Sequence, residues 1–164
     1  MVQAEKPLVT ITGISGYIGS HTTLLFLQDG GFRVRGTVRD KNNEAKIAPL
    51  RTAFGAELFN QLELVNADLD NAEEVASAIA GSTYVVPIAA GIANVSGAEE
   101  EYLPPAIAAV KSLMSACKQH GVRRVVMTSS MIAAMNLDPK PAIIDESHWS
   151  DPSICGGYAK AKTC

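Results

Sequence analysis

The sequence predicts an α/β fold built on a doubly wound parallel sheet of about five strands, with helices on both faces. Three observations predict it. Short β-rich apolar runs alternate with helical stretches from end to end, the pattern of βαβ units. A glycine-rich turn joins the first strand to the first helix. Every candidate site residue named below falls at the carboxyl end of a predicted strand or in the segment just after one, where such sheets bind ligands.

The elements follow in order. Leu8-Val9-Thr10-Ile11-Thr12, bounded by Pro7 and Gly13, reads as a buried strand. From Tyr17 to Asp29, the apolar residues Ile18, Leu24, Leu25 and Leu27 suit a helix packed on a sheet, and Gly30-Gly31 stops it. Arg33 to Val38 alternates as the second strand, a helix runs from about Asn43 to Phe54, and Leu62 to Val65 makes the third strand. Asp70-Asn71-Ala72-Glu73-Glu74 opens another helix with acids where the dipole favours them, and Gly81 closes it. Tyr84 to Ala89 is the fourth strand, in which Pro87 costs a ladder bond. A long helix from about Pro105 to His120 ends at Gly121, and Arg124 to Thr128 is the fifth strand. Tyr158 to Cys164 begins a last, short helix that is marginal without packing.

At 164 residues the chain reads as one domain spanning 1–164, large enough for a real core. Its composition is 47% hydrophobic and 19% charged, and no apolar run reaches the ~18 residues of a membrane helix. The stretch from Met1 to Pro7 has no apolar segment of a secretory leader. A net charge of −3 gives no basic footprint for nucleic acid or anionic lipid. Cys117, Cys155 and Cys164 have no metal-like spacing and read as reduced thiols of a cytoplasmic protein, and no metal site is expected.

The turn reads Gly13-Ile14-Ser15-Gly16-Tyr17-Ile18-Gly19, a G-x-x-G-x-x-G spacing between strand and helix. One glycine permits the tight turn, one lets the backbone approach a pyrophosphate, and the third lets the helix lie close on the strand. Backbone N–H groups of Gly13, Ser15, Gly16, Tyr17, Ile18 and Gly19 are then the expected phosphate cradle of a Rossmann-type dinucleotide site. Past the second strand, Arg39 stands where such sites choose between a ribose 2′-OH and a 2′-phosphate, with Lys41 and Lys46 close behind. Cations there favour NADP(H) over NAD(H); Asp40, one position on, pulls the other way. Asp68, at the end of the third strand, is placed to accept from an adenine amino group or to begin a turn.

Carbonyl reduction by hydride needs a proton donor at the developing alkoxide and a second donor to polarise the oxygen. Tyr158 and Lys162 stand at i and i+4 on one helix face, where an ammonium favours phenolate over phenol. Lys160, at i+2, faces elsewhere. Ser130, just beyond the fifth strand in Thr128-Ser129-Ser130, is the hydroxyl expected to hold the substrate oxygen.

These residues resemble the extended short-chain dehydrogenase/reductase superfamily, and most of all its dihydroflavonol reductase and cinnamoyl-CoA reductase branch. The matching stretches are Thr12 to Ser20, Gly36-Thr37-Val38-Arg39-Asp40, Ala67-Asp68-Leu69, Arg123 to Ser130, Asp145 to Asp151, and Tyr158 with Lys162. The resemblance implies NADPH-dependent reduction of a ketone, aldehyde or thioester by a Ser130, Tyr158, Lys162 triad. It also implies Arg39 and Lys46 on the 2′-phosphate and Asp68-Leu69 at the adenine. The family's ribose contacts after the fourth strand would fall on Ala89 and Ala90, although the chain departs there in having Pro87 and Ala89-Ala90-Gly91. Members of the family continue into a sixth strand and a small C-terminal substrate domain, so the natural product is expected to continue past Cys164.

Two alternatives share this turn and triad: another extended short-chain enzyme (a sugar-nucleotide epimerase or dehydratase, or a hydroxysteroid dehydrogenase), and a non-catalytic dinucleotide-binding subunit or fragment. The expected partners are a small-molecule carbonyl substrate and a second copy of the chain in a homodimer, with no nucleic acid and no membrane.

Overall fold

The computed structural model describes residues 5–90 and 99–164; Met1–Ala4 of the N-terminal stretch and Gly91 lie outside the described residues. In chain order the elements are β1 (Leu8–Ile11), α1 (Tyr17–Asp29), β2 (Arg33–Val38), α2 (Glu44–Phe59), β3 (Leu62–Asn66), α3 (Ala72–Ile79), β4 (Tyr84–Val86), α4 (Glu99–Gln119), β5 (Arg124–Val125), α5 (Ile132–Met135) and α6 (Gly157–Thr163). They fall into two units, one drawn from Met1–Ala90 and Ser112–Met127, the other from Gly91–Lys111 and Thr128–Cys164.

The first unit holds a five-stranded sheet in the order β3-β2-β1-β4-β5, parallel throughout. The chain steps outward from β1 to β3 and then crosses to the other side of β1 for β4, so the order reverses between β1 and β4. That reversal is the switch point at which a doubly wound sheet opens a crevice.

Successive residues of a strand face opposite sides, and β1 sorts them by polarity. Val9 and Ile11 are fully buried with Leu27 of α1 and Ile47, Leu50 and Phe54 of α2. Thr10 faces the other way, its hydroxyl 2.6 Å from that of Ser82. A second core joins Val75 and Ile79 of α3, Val85 of β4, and Leu113, Ala116 and Cys117 of α4. Burial in this second core raises the pKa of the Cys117 thiol. On β2, Arg35 donates from one terminal nitrogen to the carbonyls of Ala78 and Ala80, 2.7 Å each, at the end of α3. Its Nε lies 2.9 Å from a Glu63 carboxylate oxygen, an ion pair without hydrogen-bond geometry.

Several element bounds differ from expectation. The fourth strand stops at Val86 and does not run to Ala89, because Pro87 has no N–H to continue a ladder. Its partner is shortened with it: β5 covers Arg124–Val125 and not Arg124 to Thr128, with one further bond from Val126 N–H to the Val85 carbonyl. Helix α4 begins at Glu99, ahead of the expected Pro105, and carries Pro104 and Pro105 inside it. Each proline removes one bond to the carbonyl four residues back without ending the helix. Helix α2 reaches past Phe54 to Phe59, but Gly55 breaks it at φ 72°, ψ 160°. The single turn α5 was not expected.

Candidate functional site

The glycine turn follows β1 at the switch point and is held mainly by backbone, with the Thr37 hydroxyl also accepting from the Gly13 amide (3.4 Å). Gly13 and Ile14 donate to the Thr37 carbonyl (3.1 and 3.2 Å), and Gly16 donates to the Gly13 carbonyl (3.1 Å). Gly13 has φ 70°, and a Cβ there would lie 2.8 Å from the Ala89 Cβ. A Cβ on Gly19 would lie 2.2 Å from the Gly13 carbonyl oxygen, so the first turn of α1 rests directly on the turn. Gly16 differs. Its φ is −89°, and a Cβ would meet only the Gly13 oxygen at an ordinary 3.4 Å. Among the described residues, nothing in the packing demands glycine at 16, which fits a backbone kept bare for a ligand.

Gly16 is the N-cap of α1 and supplies no side-chain cap. The amides of Tyr17, Ile18 and Gly19 therefore open the helix with no carbonyl of their own helix to donate to, and the first turn holds no acid. Ser15 is exposed, Tyr17 stands 82% exposed with its ring edge-on to His21, and Ile18 is 52% exposed. These uncapped donors suit a pyrophosphate, so the residues present fit a dinucleotide.

Two supports of the turn escaped sequence reasoning. The Thr12 hydroxyl accepts from the amides of Ile88 and Ala89, 3.0 Å each, which pins the chain after β4 beside Gly13. Ala90, next along, is exposed. Gly36 on β2 leaves room for the fully buried Ile14, whose Cδ1 would stand 2.5 Å from a Cβ at 36. No local sequence signal marks either role, because each contact bridges separate strands.

Arg39 and Lys46 are exposed, and among the described residues neither side chain makes a hydrogen bond or ion pair. Asp40 is engaged locally: its carboxylate accepts from the Asn42 amide at 2.9 Å. The Lys41 amide donates to Asn66 Oδ1 (2.8 Å), tying this loop to the end of β3. Asp68 begins a turn, accepting from the Asp70 amide at 3.2 Å while its own amide donates to Glu74 (2.9 Å). Leu69 packs against the second core.

In the second unit, Tyr158 and Lys162 lie on α6, and the Lys162 ammonium sits over the Tyr158 ring, 5.8 Å from its centroid. This is the pairing the i, i+4 spacing predicts. Ser130 heads α5: its hydroxyl accepts from the Ile132 amide (3.4 Å) and its carbonyl from the Ala133 amide (3.0 Å). Helices α5 and α6 pack on each other. Two small turns follow, Asp145 to His148 and Asp151 to Ile154. Hydrogen bonds from the Ser147 hydroxyl (2.6 Å) and amide (3.0 Å), and then His148, lower the Asp145 carboxyl to about 2. Ser153 likewise lowers Asp151. Among the described residues, no cluster of ligating side chains could hold a metal ion, and no helix is long and apolar enough to cross a membrane.

A family model described as the NAD dependent epimerase/dehydratase family matches residues 9–164. Dihydroflavonol 4-reductase of Zea mays is 37% identical over 155 residues, covering 93% of this chain and 42% of its own length. Cinnamoyl-CoA reductase 1 of Oryza sativa subsp. japonica is also 37% identical, over 92% of this chain and 43% of its own. Among solved structures, vestitone reductase from alfalfa superposes with a TM-score of 0.78 at 28% identity, over 96% of this chain and 49% of its own. The chain thus spans less than half the length of these relatives.

Proposed function

Because the chain belongs to the NAD dependent epimerase/dehydratase family, we propose that residues 1–164 are the dinucleotide-binding half of an NADPH-dependent reductase acting on a ketone, aldehyde or thioester. The observation that carries this reading is the Lys162 ammonium over the Tyr158 ring. When bound, the nicotinamide supplies a hydride. The Tyr158 phenol holds the proton that the carbonyl oxygen receives, and Lys162 stabilises the phenolate left behind. The Ser130 hydroxyl donates to the same oxygen and polarises it. The uncapped amides of Tyr17, Ile18 and Gly19 hold the phosphates, whereas the Gly13 and Gly16 amides, also expected in the cradle, are spent on the Thr37 and Gly13 carbonyls.

NADPH over NADH rests on the exposed, uncommitted Arg39 and Lys46 and on Asp40 being occupied by its own turn; a guanidinium fork grips a phosphate in two places. Asp68 and Leu69 at the adenine, and Ala89 and Ala90 at the ribose, complete the proposed contacts. The reduced thiols of Cys117 and Cys155, both buried, support the cytoplasm as its compartment. The named relatives are reductases, which favours reduction over epimerisation.

Titrating the complete gene product with NADPH and NADH, then presenting a panel of aldehydes, ketones and thioesters, tests the reading. Arg39→Ala should weaken NADPH far more than NADH, and Tyr158→Phe should abolish turnover while leaving NADPH affinity nearly unchanged. Equal weakening of both nucleotides refutes the phosphate assignment. Wild-type turnover in Tyr158→Phe refutes the triad.

A further inference from the structure

Three groups assigned to one reaction sit on or just before two very short helices, and neither helix is capped by a side chain of its N-cap residue. Ser130 heads the four-residue α5, and Tyr158 and Lys162 ride the seven-residue α6. Isolated helices of this length do not persist in water. Something else must fix their geometry.

The dipeptide Trp149-Ser150 bridges both. Ser150 is 2% exposed, and its hydroxyl donates to the Ile132 carbonyl (2.8 Å) while accepting from the Asn136 amide (2.9 Å). Its own amide donates to the Ala133 carbonyl (2.8 Å), so every polar group it turns inward holds α5. One residue earlier, the Trp149 indole N–H donates to the Thr163 carbonyl (3.1 Å), immediately after Lys162. Trp149 is 60% exposed. More than half of the residue thus faces solvent, and its indole N–H is the bond that reaches α6. The far side of α6 is set by Thr163, whose hydroxyl donates to the Ala159 carbonyl (2.8 Å) beside the buried Cys155.

We infer that Trp149-Ser150 is a positioning strap that sets the spacing of Ser130 from Tyr158 and Lys162, with Trp149 acting on the reaction only through α6. This rests on the reductase reading above. A misplacement of about 1 Å in such a constellation costs up to roughly 100-fold in rate, whereas loss of one half-exposed hydrogen bond changes stability little.

The test uses Trp149→Phe in the complete gene product, which keeps an aromatic ring and removes the N–H. Three quantities are read: kcat and KM, NADPH affinity, and amide hydrogen exchange. The expected result is a kcat lower by about 10- to 100-fold, unchanged NADPH affinity, and faster exchange in residues 158–163 but not in α1. Trp149 is the only tryptophan in the sequence, so its single indole N–H signal in the wild type reports the bond directly, and it should be protected. Unchanged kcat, unchanged exchange in α6, or a parallel loss of NADPH affinity overturns the strap. Wild-type turnover in Tyr158→Phe, or no turnover on any carbonyl, overturns the reductase reading instead. The exchange of α6 and the indole signal then still decide whether the strap holds α6.

Discussion

Gly19→Ala offers a sharp test of how the glycine turn is built. Inside a helix, alanine exceeds glycine by about 1 kcal/mol in propensity, and Gly19 is the third residue of α1. Propensity alone therefore predicts a more stable protein. The structure predicts the reverse. The new methyl would stand 2.2 Å from the Gly13 carbonyl oxygen, 2.8 Å from its carbon and 2.9 Å from the Ile14 Cα, all backbone. Ordinary contact begins near 3.4 Å, so the start of α1 must retreat by about 1 Å. Ile14 is fully buried and Gly13 is locked against Ala89, so the turn cannot follow. Overpacking of this kind costs typically 1–3 kcal/mol and occasionally more. Set against the propensity gain, a net loss of about 1 kcal/mol follows, or roughly 2–4 °C in melting temperature for a domain this size. Gly16→Ala is the matched control: among the described residues its methyl meets nothing closer than 3.4 Å, so it should melt like the wild type yet bind NADPH at least tenfold more weakly. Urea unfolding and NADPH fluorescence titration read both variants. A Gly19→Ala protein that is stabilised by about 1 kcal/mol and binds NADPH normally would refute the packing argument.

Two further outcomes follow from polar contacts. Arg35→Met should cost about 3 kcal/mol in urea unfolding, because the carbonyls of Ala78 and Ala80 lose their shared charged donor; Arg35→Lys should recover part of it, and a loss below about 0.5 kcal/mol would show that the guanidinium is dispensable. The Asp145 carboxyl is depressed from 3.8 to about 2, mainly by Ser147 and then His148. A group depressed on folding stabilises above its unfolded value and loses that contribution as pH falls through the folded one. Carboxyl NMR should therefore show Asp145 titrating near pH 2, with the 145–148 turn intact at pH 4. Ser147→Ala should move the midpoint upward, and a wild-type midpoint near 3.8 would contradict the turn.

The parts legible in the sequence are those dictated by local backbone chemistry. The bounds of α1 and β2 agree with expectation because Gly30 and the alternation of Arg33 to Val38 mark them within a few residues. The glycine turn and the Tyr158–Lys162 pairing were legible for the same reason: one needs a bare backbone, the other a single helical turn. Missed features depend on a partner strand or helix. The shortness of β5 follows from Pro87 on its neighbour, not from its own apolar run. Thr12 and Gly36 support the turn across the sheet, and Trp149-Ser150 gains meaning only once α5 and α6 are placed. Helix α4 shows the converse error, since Pro105, read as a start, lies within the helix.

The break at Gly55 makes α2 a jointed rod, not a continuous one. Its two halves are clasped by the Arg51 guanidinium lying 5.3 Å from the centre of the Phe59 ring, across the joint. Twist or axial slip introduced beyond the joint, for instance by a lengthened approach to β3, is absorbed at that swivel and not passed back toward Lys46. Insertions and deletions tolerated over evolution should therefore gather between Gly55 and Gln61, leaving the cation-bearing half in register.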